Sequence, residues 1–456
     1  MNLIKLTKRN WIHLCVLFLL FTSGFYPLVG STLFAENAVG KVGLLSTNLF
    51  ITSFVVFIIT FVSLLVYLII NKTYTPSWII LIGLTIALLI NMLTIIFFSD
   101  KSFSVDLIGG EVDVFTYSID HLLKLRYIMQ LICLFVILFI IIDIVPKLFS
   151  LDILYVFSFA CILFVLTSII SSYFIDNVRY IEFIKKLSSP SELYDYAIFS
   201  FFAYRNSYGF VLFLGLIASL FLHSRRHKYY WFIVFGFIYL NLIFTLCKTA
   251  LILGLLFLLL YLCIRFILSF KENKKRNIIV FLIITTLCLA GLITFTTIIT
   301  HNDIIKDAIF NTGTISYRKV IWHNCLSILN STSYLFGAGF HIFGDILFIF
   351  NTSDPVTYHH NDTPFAHNGY LELLGNGGII FLLVFALILI YTISQYFKRY
   401  KNNKQLSLFE LSLICVCLIY MILESGTFIL SYNIDNAYLS LLILMPAFYK
   451  KDWLMN

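Results

Sequence analysis

Residues 366–397 read AHNGYLELLGNGGIIFLLVFALILIYTISQYF. From Ile379 onward the stretch is an apolar run long enough to cross a bilayer, since a transmembrane helix needs about 20 mostly apolar residues. Its approach is different in kind. A histidine, an asparagine, a tyrosine and a carboxylate crowd the mouth of the helix, together with four glycines. The apolar run decides the fold class, and the polar approach raises the question of function.

The same kind of run recurs from end to end of the 456 residues, 60% of which are hydrophobic and 12% charged. A soluble globular chain carries about a quarter charged residues. Ten-residue alternations, the mark of a membrane barrel, are not the pattern here. The sequence therefore reads as an all-α, polytopic integral membrane protein forming a single transmembrane domain over residues 1–456. About twelve spans are expected. They lie near 11–29, 48–71, 77–99, 125–145, 151–173, 206–224, 229–247, 249–267, 277–299, 378–396, 406–428 and 436–449. The first follows KLTKRN in the manner of a secretory signal. Its length, and the many spans behind it, point instead to a retained helix.

The net charge is +8, and its distribution orients the chain. RRHK at 225–228, KENKKR at 271–276, KRYKNNK at 398–404 and KK at 450–451 follow alternate spans. The positive-inside rule puts these clusters and both termini in the cytoplasm. The loops near 30–47, 100–124, 174–205, 300–377 and 429–435 then face outward. Lys124 and Arg126 stand at the outer edge against the trend.

The nine cysteines fall almost entirely inside spans, where Cys behaves as a small apolar residue. Cys325 lies in an outer loop with no obvious partner, so neither a disulfide framework nor a zinc pattern is expected. The loop 300–377 is the long one, and long loops in compact proteins are functional or disordered. Its aromatic and aliphatic content (IWHNCLSIL, YLFGAGFHIFGDILFIF) argues for helices lying against the membrane surface. Six of the ten histidines are in it: His301, His323, His341, His359, His360 and His367. His359 and His360, with Asp354 and Asp362, lack the spacing of a metal motif, so no metal or other cofactor is expected. Lys248 in FTLCKTALILGLL and Arg205 in FFAYRNSYGFVL sit at outer span boundaries. Taken singly, each suits a snorkelling side chain. Both, however, share the outer face with Arg318 and His367.

Four segments together resemble the O-antigen polymerase and ligase superfamily of bacterial membranes. YRNSYGFVLFLGLI at 204–217 is similar to a family span opening on an Asn-containing outer motif. TLCKTALILGLL at 245–256 resembles the Ser-Arg-rich start of a later span, with Lys248 and Cys247 where arginine and serine are usual. SYRKVIWHNCLSILNSTSYLFGAGFHIF at 316–343 resembles the segment that opens the large outer loop, and AHNGYLELLGNGGIIFLL at 366–383 the one that closes it, with Phe381 in place of a frequent glycine. The resemblance covers about residues 200–400.

The resemblance implies transfer of a glycan from undecaprenyl diphosphate to a hydroxyl acceptor, without metal, at the outer face of the cytoplasmic membrane. A polymerase uses the non-reducing sugar of another lipid-linked repeat unit as acceptor, and a ligase uses lipid A–core. The implied partners are the lipid-linked oligosaccharide donor and acceptor, membrane lipid and a chain-length regulator protein; nucleic acid is not among them. A lipid-linked oligosaccharide flippase is the rival from another class. It should carry inverted repeats and ionisable residues at mid-depth, and the charged residues here gather at one face.

The chemistry assigns roles to the polar residues. The diphosphate leaves carrying its own charge, so the needs are cations to stabilise it and a base for the acceptor's proton. Cationic clamps meet the first need, arginine best of all. Arg318 is the first choice, then Lys248, whose ammonium lacks the bidentate fork, and then Arg205. His367 is the leading base, since an unperturbed imidazole titrates near pH 6.5 (about). Glu372 is its rival, and also suits a first-turn carboxylate or one that orients a neighbour. Asn368 is a good N-cap for a short helix through Leu374, with Gly375 as its C-terminal stop. Tyr370 and Trp322 suit a membrane interface or a sugar-binding face alike.

Overall fold

A computed structural model describes residues 43–72, 74–106, 112–144, 152–186, 193–200, 205–226, 228–269, 314–353, 365–400 and 404–424. The elements, in chain order, are α1 (Gly43–Ile70), α2 (Trp78–Ile96), β1 (Lys101–Asp106), β2 (Val112–Tyr117), α3 (His121–Phe139, continued by a π-helical turn Ile140–Ile144), α4 (Asp152–Lys185) and α5 (Arg205–Arg226). Then come α6 (Tyr230–Phe244), α7 (Lys248–Ser269), α8 (Thr314–Ser331), α9 (Ile342–Ser353), α10 (Gly369–Tyr400) and α11 (Lys404–Leu423). Every expected span falls on one of these helices except 11–29, 277–299 and 436–449, which lie outside the described residues. Among the described residues, three helices are long and apolar enough to cross a membrane: His121–Ile144, Cys161–Lys185 and Gly369–Ser394.

Three local expectations need correcting. The all-α reading missed an antiparallel hairpin between α2 and α3, paired Phe103 to Phe115. KSFSVD alternates apolar and polar residues at the strand period, but the stretch is short and follows a long apolar run. Phe103 and Phe115 stack on each other, and both meet Phe350 of α9 edge-on. The span expected to end at 173 continues as helix to Lys185, across a kink at Asp176. The helix opened by Asn368 does not stop at Gly375 but breaks at Gly378 (φ 65, ψ −162).

The described residues form two compact units. The first is drawn from Met1–Tyr155, Ile321–Ile393 and Met421–Asn456, and the second from Val156–Val320 and Ser394–Tyr420.

In the first unit, side chains satisfy helix ends that lack their own partners. Asp120 accepts from the Leu123 N–H at the start of α3. Ser77 gives α2 no side-chain cap; instead Asp143, in the π turn, accepts from the Ser77 N–H and the Tyr74 hydroxyl. Lys124, the charge that ran against the topology trend, donates to the carbonyls of Ile96 and Phe98 at the end of α2. A cation there neutralises the negative end of the helix dipole. Lys101 does the same for Ser331 at the end of α8.

In the second unit α5 is apolar all round and buried along most of its length between α6 and α7. Small residues bring the backbones close, as in other helix pairs of membrane proteins. A Cβ on Gly215 would lie 2.9 Å from Val165, and one on Gly254 2.9 Å from Leu216. The segment before α5 is held at the kink of α4. Asp176 accepts from the Ser200 N–H at 3.0 Å and pairs with Arg179 at 3.7 Å. The Ile198 N–H donates to Phe244 O at the end of α6.

Candidate functional site

Gly378 sets the geometry of the first unit's polar cluster. Its left-handed φ breaks α10, which takes Ile379 and Ile380 out of the regular hydrogen-bond ladder. Their N–H groups turn to the carbonyls of Tyr334 and Leu335, at 2.9 and 3.4 Å. In return the Ala338 N–H donates to Gly375 O at 2.8 Å. The two segments are so close that a Cβ on Gly337 (φ 72) would sit 2.5 Å from Gly375 O. Gly375 itself lies against the Phe343 ring, which is the physical reason for glycine there rather than a helix stop.

Two buried asparagines lock this junction. Asn376 Oδ1 accepts from the His341 N–H at 3.0 Å, and Asn376 Nδ2 donates to Glu372 O and Glu372 Oε2 at 2.8 and 3.2 Å. Asn91 on α2 donates to Asn376 O and accepts from the Phe340 N–H. The second oxygen of Glu372 accepts from the Ala366 N–H at 2.6 Å, while Trp322 Nε1 donates to Ala366 O at 3.0 Å. The peptide groups flanking Ala366 are thus gripped from α10 and from α8, one residue before the histidine.

His367 follows in a left-handed conformation (φ 48), which is uncommon for a non-glycine residue. It is buried, and its Nδ1 lies 3.5 Å from Glu424 Oε2. Asn368 Oδ1 caps α10 by accepting from the Tyr370 and Leu371 N–H groups, and its Nδ2 donates to Ile422 O. Tyr370 is half-buried, its ring edge-on to Phe385. Cys325 is buried and unpaired by any disulfide; burial, with Glu372 near it, holds its thiol far above its ordinary pKa and makes it unreactive.

A second polar cluster stands nearby in the same unit. Asp345 accepts from the hydroxyls of Tyr117 and Tyr127, and the Tyr127 ring stacks on His341. Burial pushes the His341 imidazole down to about 3, and Arg126 adds to the effect. Burial also raises the Asp345 carboxyl, against the pull of the two tyrosines and Arg126. So Arg126, the other charge against the topology trend, belongs to a local cluster. His341 is neutral at pH 7 and a poor proton acceptor, and His323 is exposed on α8. His301, His359 and His360, with the aspartates beside them, lie outside the described residues. Among the described residues no group of His, Cys, Asp or Glu has the arrangement of a metal site.

In the second unit, Arg205 and Lys248 are the first residues of α5 and α7. A Cβ on Gly209, one turn into α5, would lie 2.5 Å from Cys247 Cβ, the residue just before Lys248. Two helix N-termini, each opened by a cation, therefore lie side by side, an arrangement that suits an anion. Arg318 is partly exposed on α8. The chain divides into its two units between Val320 and Ile321 of that helix, with Arg318 on one side and Trp322 on the other.

Sequence reasoning did not single out Glu424, Asn376 or Asn91. Glu424 had a legible signal, a lone carboxylate closing the apolar run of α11. The asparagines had none, because the contacts that join the segments, Asn376 to His341 and Asn91 to Phe340 and Asn376, link residues far apart along the chain.

Comparison with known proteins bears on the identity of this arrangement. No curated protein matches the chain. Residues 240–386, however, match the family described as O-antigen ligase. That stretch contains Lys248, Arg318, Trp322, His367 and Glu372, and only Arg205 of the candidate cations precedes it. Over these residues, less than half of its length, the chain is similar to the O-antigen polymerase and ligase superfamily.

Proposed function

We propose that the protein is a polysaccharide polymerase of the cytoplasmic membrane. It transfers a glycan from undecaprenyl diphosphate to the non-reducing end of another lipid-linked repeat unit. In this reading the chain crosses the membrane about twelve times. Both termini are cytoplasmic, and the loop 300–377 faces outward with part of the active site. His367 takes the proton of the acceptor hydroxyl as its oxygen forms the new glycosidic bond. The bond between the anomeric carbon and the diphosphate oxygen breaks, and the electron pair leaves on the diphosphate. Arg205 and Lys248, with Arg318, stabilise that charge, so the reaction runs without metal. Glu372 is a positioning residue rather than the base, because both of its oxygens already accept hydrogen bonds. Trp322 holds the same peptide from the other side, while Asn368 and Tyr370 border the acceptor.

The observation that carries this reading is the family match over 240–386, which encloses the histidine and two of the three cations. The family's own description favours the second reading, a ligase that moves the glycan to lipid A–core. A gel of surface glycan from a deletion strain separates the two. Loss of a polymerase leaves a single repeat unit on the surface, and loss of a ligase leaves polymer stranded on the lipid carrier. Full-length surface glycan from His367→Ala and Arg318→Ala variants at normal expression would remove the glycosyltransferase reading altogether.

A further inference from the structure

The polar cluster around His367 contains one carboxylate that addresses the ring itself. Glu372 holds the backbone before it, whereas Glu424 Oε2 stands 3.5 Å from Nδ1 of the imidazole. The side chains are 11% and 12% exposed, so the pair is largely shielded from water. A carboxylate in such surroundings is costly unless a positive or hydrogen-bonding partner meets it. A second contact fixes the approach. Asn368, next to the histidine, donates to Ile422 O, which ties the end of α11 to the start of α10 two residues before Glu424.

We infer that Glu424 is a positioning residue for His367, holding the imidazole in the tautomer protonated at Nδ1 and facing Nε2 to the acceptor hydroxyl. The inference rests on the reading of His367 as the base. The nitrogen that carries the proton in a neutral imidazole is set by the partner of the other nitrogen. An Nδ1–H directed at Glu424 makes Nε2 the acceptor. When Nε2 takes the acceptor's proton the ring becomes a cation, and the fixed anion at Nδ1 stabilises it as the charge develops. The proton then passes to water and the ring returns to its neutral form, with Glu424 unprotonated throughout. The separation is longer than a close hydrogen bond, as is common at catalytic histidines before substrate is bound. A carboxylate that holds a histidine's tautomer and charge contributes a large factor to the rate where it has been removed from such pairs.

The test uses the full-length protein in detergent and the polyprenyl-diphosphate-linked glycan extracted from cells lacking the enzyme. Glu424→Gln keeps the side-chain length and a hydrogen-bond acceptor and removes only the charge. Its kcat is expected to fall about 100-fold with KM little changed, as for loss of an interaction made in the transition state. Glu424→Asp should recover about tenfold of that loss, because the charge returns at a longer distance. In a His367→Ala background Glu424→Gln should cost nothing further, since each acts through the other. An unchanged kcat in Glu424→Gln, beside an inactive His367→Ala, overturns the role of Glu424 and leaves the base assigned to His367. A fully active His367→Ala overturns both. Equal losses from Glu424→Gln with and without His367, or a loss matched by falling unfolding temperature in both Gln and Asp variants, mark a purely structural residue and also overturn the inference.

Discussion

Asn376→Asp is the sharpest perturbation of the junction, because it changes one atom and one charge. The new carboxylate keeps the bond from the His341 N–H to Oδ1. In place of the amide nitrogen it sets an anionic oxygen 3.2 Å from Glu372 Oε2 and 2.8 Å from Glu372 O. Two unit charges at that separation repel by about 5 kcal/mol at an effective dielectric of roughly 20. The lost bond to the buried carbonyl adds about 1–3 kcal/mol. Asn376→Leu removes the same donors without the repulsion. It leaves the His341 N–H and two Glu372 oxygens with fewer bonds, at about 3–9 kcal/mol in total. The diagnostic variant is the exchange Glu372→Gln/Asn376→Asp, in which the amide and the carboxylate trade places. It abolishes the repulsion and restores a donor between the two side chains, but not the bond to Glu372 O, so most of the loss should return. Unfolding of detergent-solubilised protein, by heat and by denaturant, reads the three against the parent. An Asn376→Asp protein within about 1 kcal/mol of the parent, or an exchange no better than the single change, would refute the junction as described, since exposed pairs contribute no more than that.

Three further outcomes follow from the same contacts. Gly337→Ala should destabilise by more than the 1–2 kcal/mol that a left-handed alanine costs (about), because its Cβ would meet Gly375 O at 2.5 Å; a neutral effect on unfolding would show that the two segments are not packed together. Trp322→Phe should cost about 1 kcal/mol through the lost bond to Ala366 O, and lower glycan transfer several-fold at unchanged expression; full activity would remove Trp322 from the positioning of His367. His341, held down to about 3, is neutral in the folded protein, so its contribution is complete above pH 6.5 and is lost as pH falls toward 3. That is about 2 kcal/mol at pH 5. Asp345, whose carboxyl is raised, acts in the opposite sense. The comparison is therefore His341→Phe against the parent in an Asp345→Asn background, with Arg126, Tyr117 and Tyr127 retained; parallel stability curves between pH 7 and 5 would refute it.

Much of the fold was legible because a membrane helix announces itself in one dimension. An apolar run of sufficient length has few alternatives, and among the described residues the expected spans from 48 to 267 and from 378 to 423 fall on helices. The hairpin was hidden for the opposite reason. Six-residue strands carry little periodic signal, and what holds this pair down is Phe350, more than two hundred residues away. Lys124 and Arg126 were misleading in the sequence because a topology rule counts charges without asking what they contact. One serves a helix end and the other a buried cluster. At the candidate site, the cap at Asn368 was readable from residue type and place. The break at Gly378 was displaced from the expected Gly375 because four glycines so close together offer several stops. Which one bends is chosen by packing against Leu335 and Phe343.

The crowding of polar residues before α10 follows from the break itself. Breaking a helix at the edge of an apolar run leaves N–H and C=O groups without their ladder partners, and each buried one is costly. The chain meets that cost by laying a second irregular segment, 333–341, against the break, so that carbonyls of one serve amides of the other. Irregular backbone can meet irregular backbone closely only where side chains are absent, hence the glycines at 337 and 378. Side-chain amides must supply the remaining donors and acceptors at fixed positions, hence Asn91 and Asn376. A junction closed in this way is stiff, and the peptide before His367 is bound into it through Glu372 and Trp322. The left-handed φ of His367 is thereby imposed from both sides rather than tolerated. A catalytic base gains from such fixity, since misplacement by about 1 Å can cost roughly 100-fold in rate. The same glycines and asparagines that make the broken helix affordable to the fold are what would aim the imidazole.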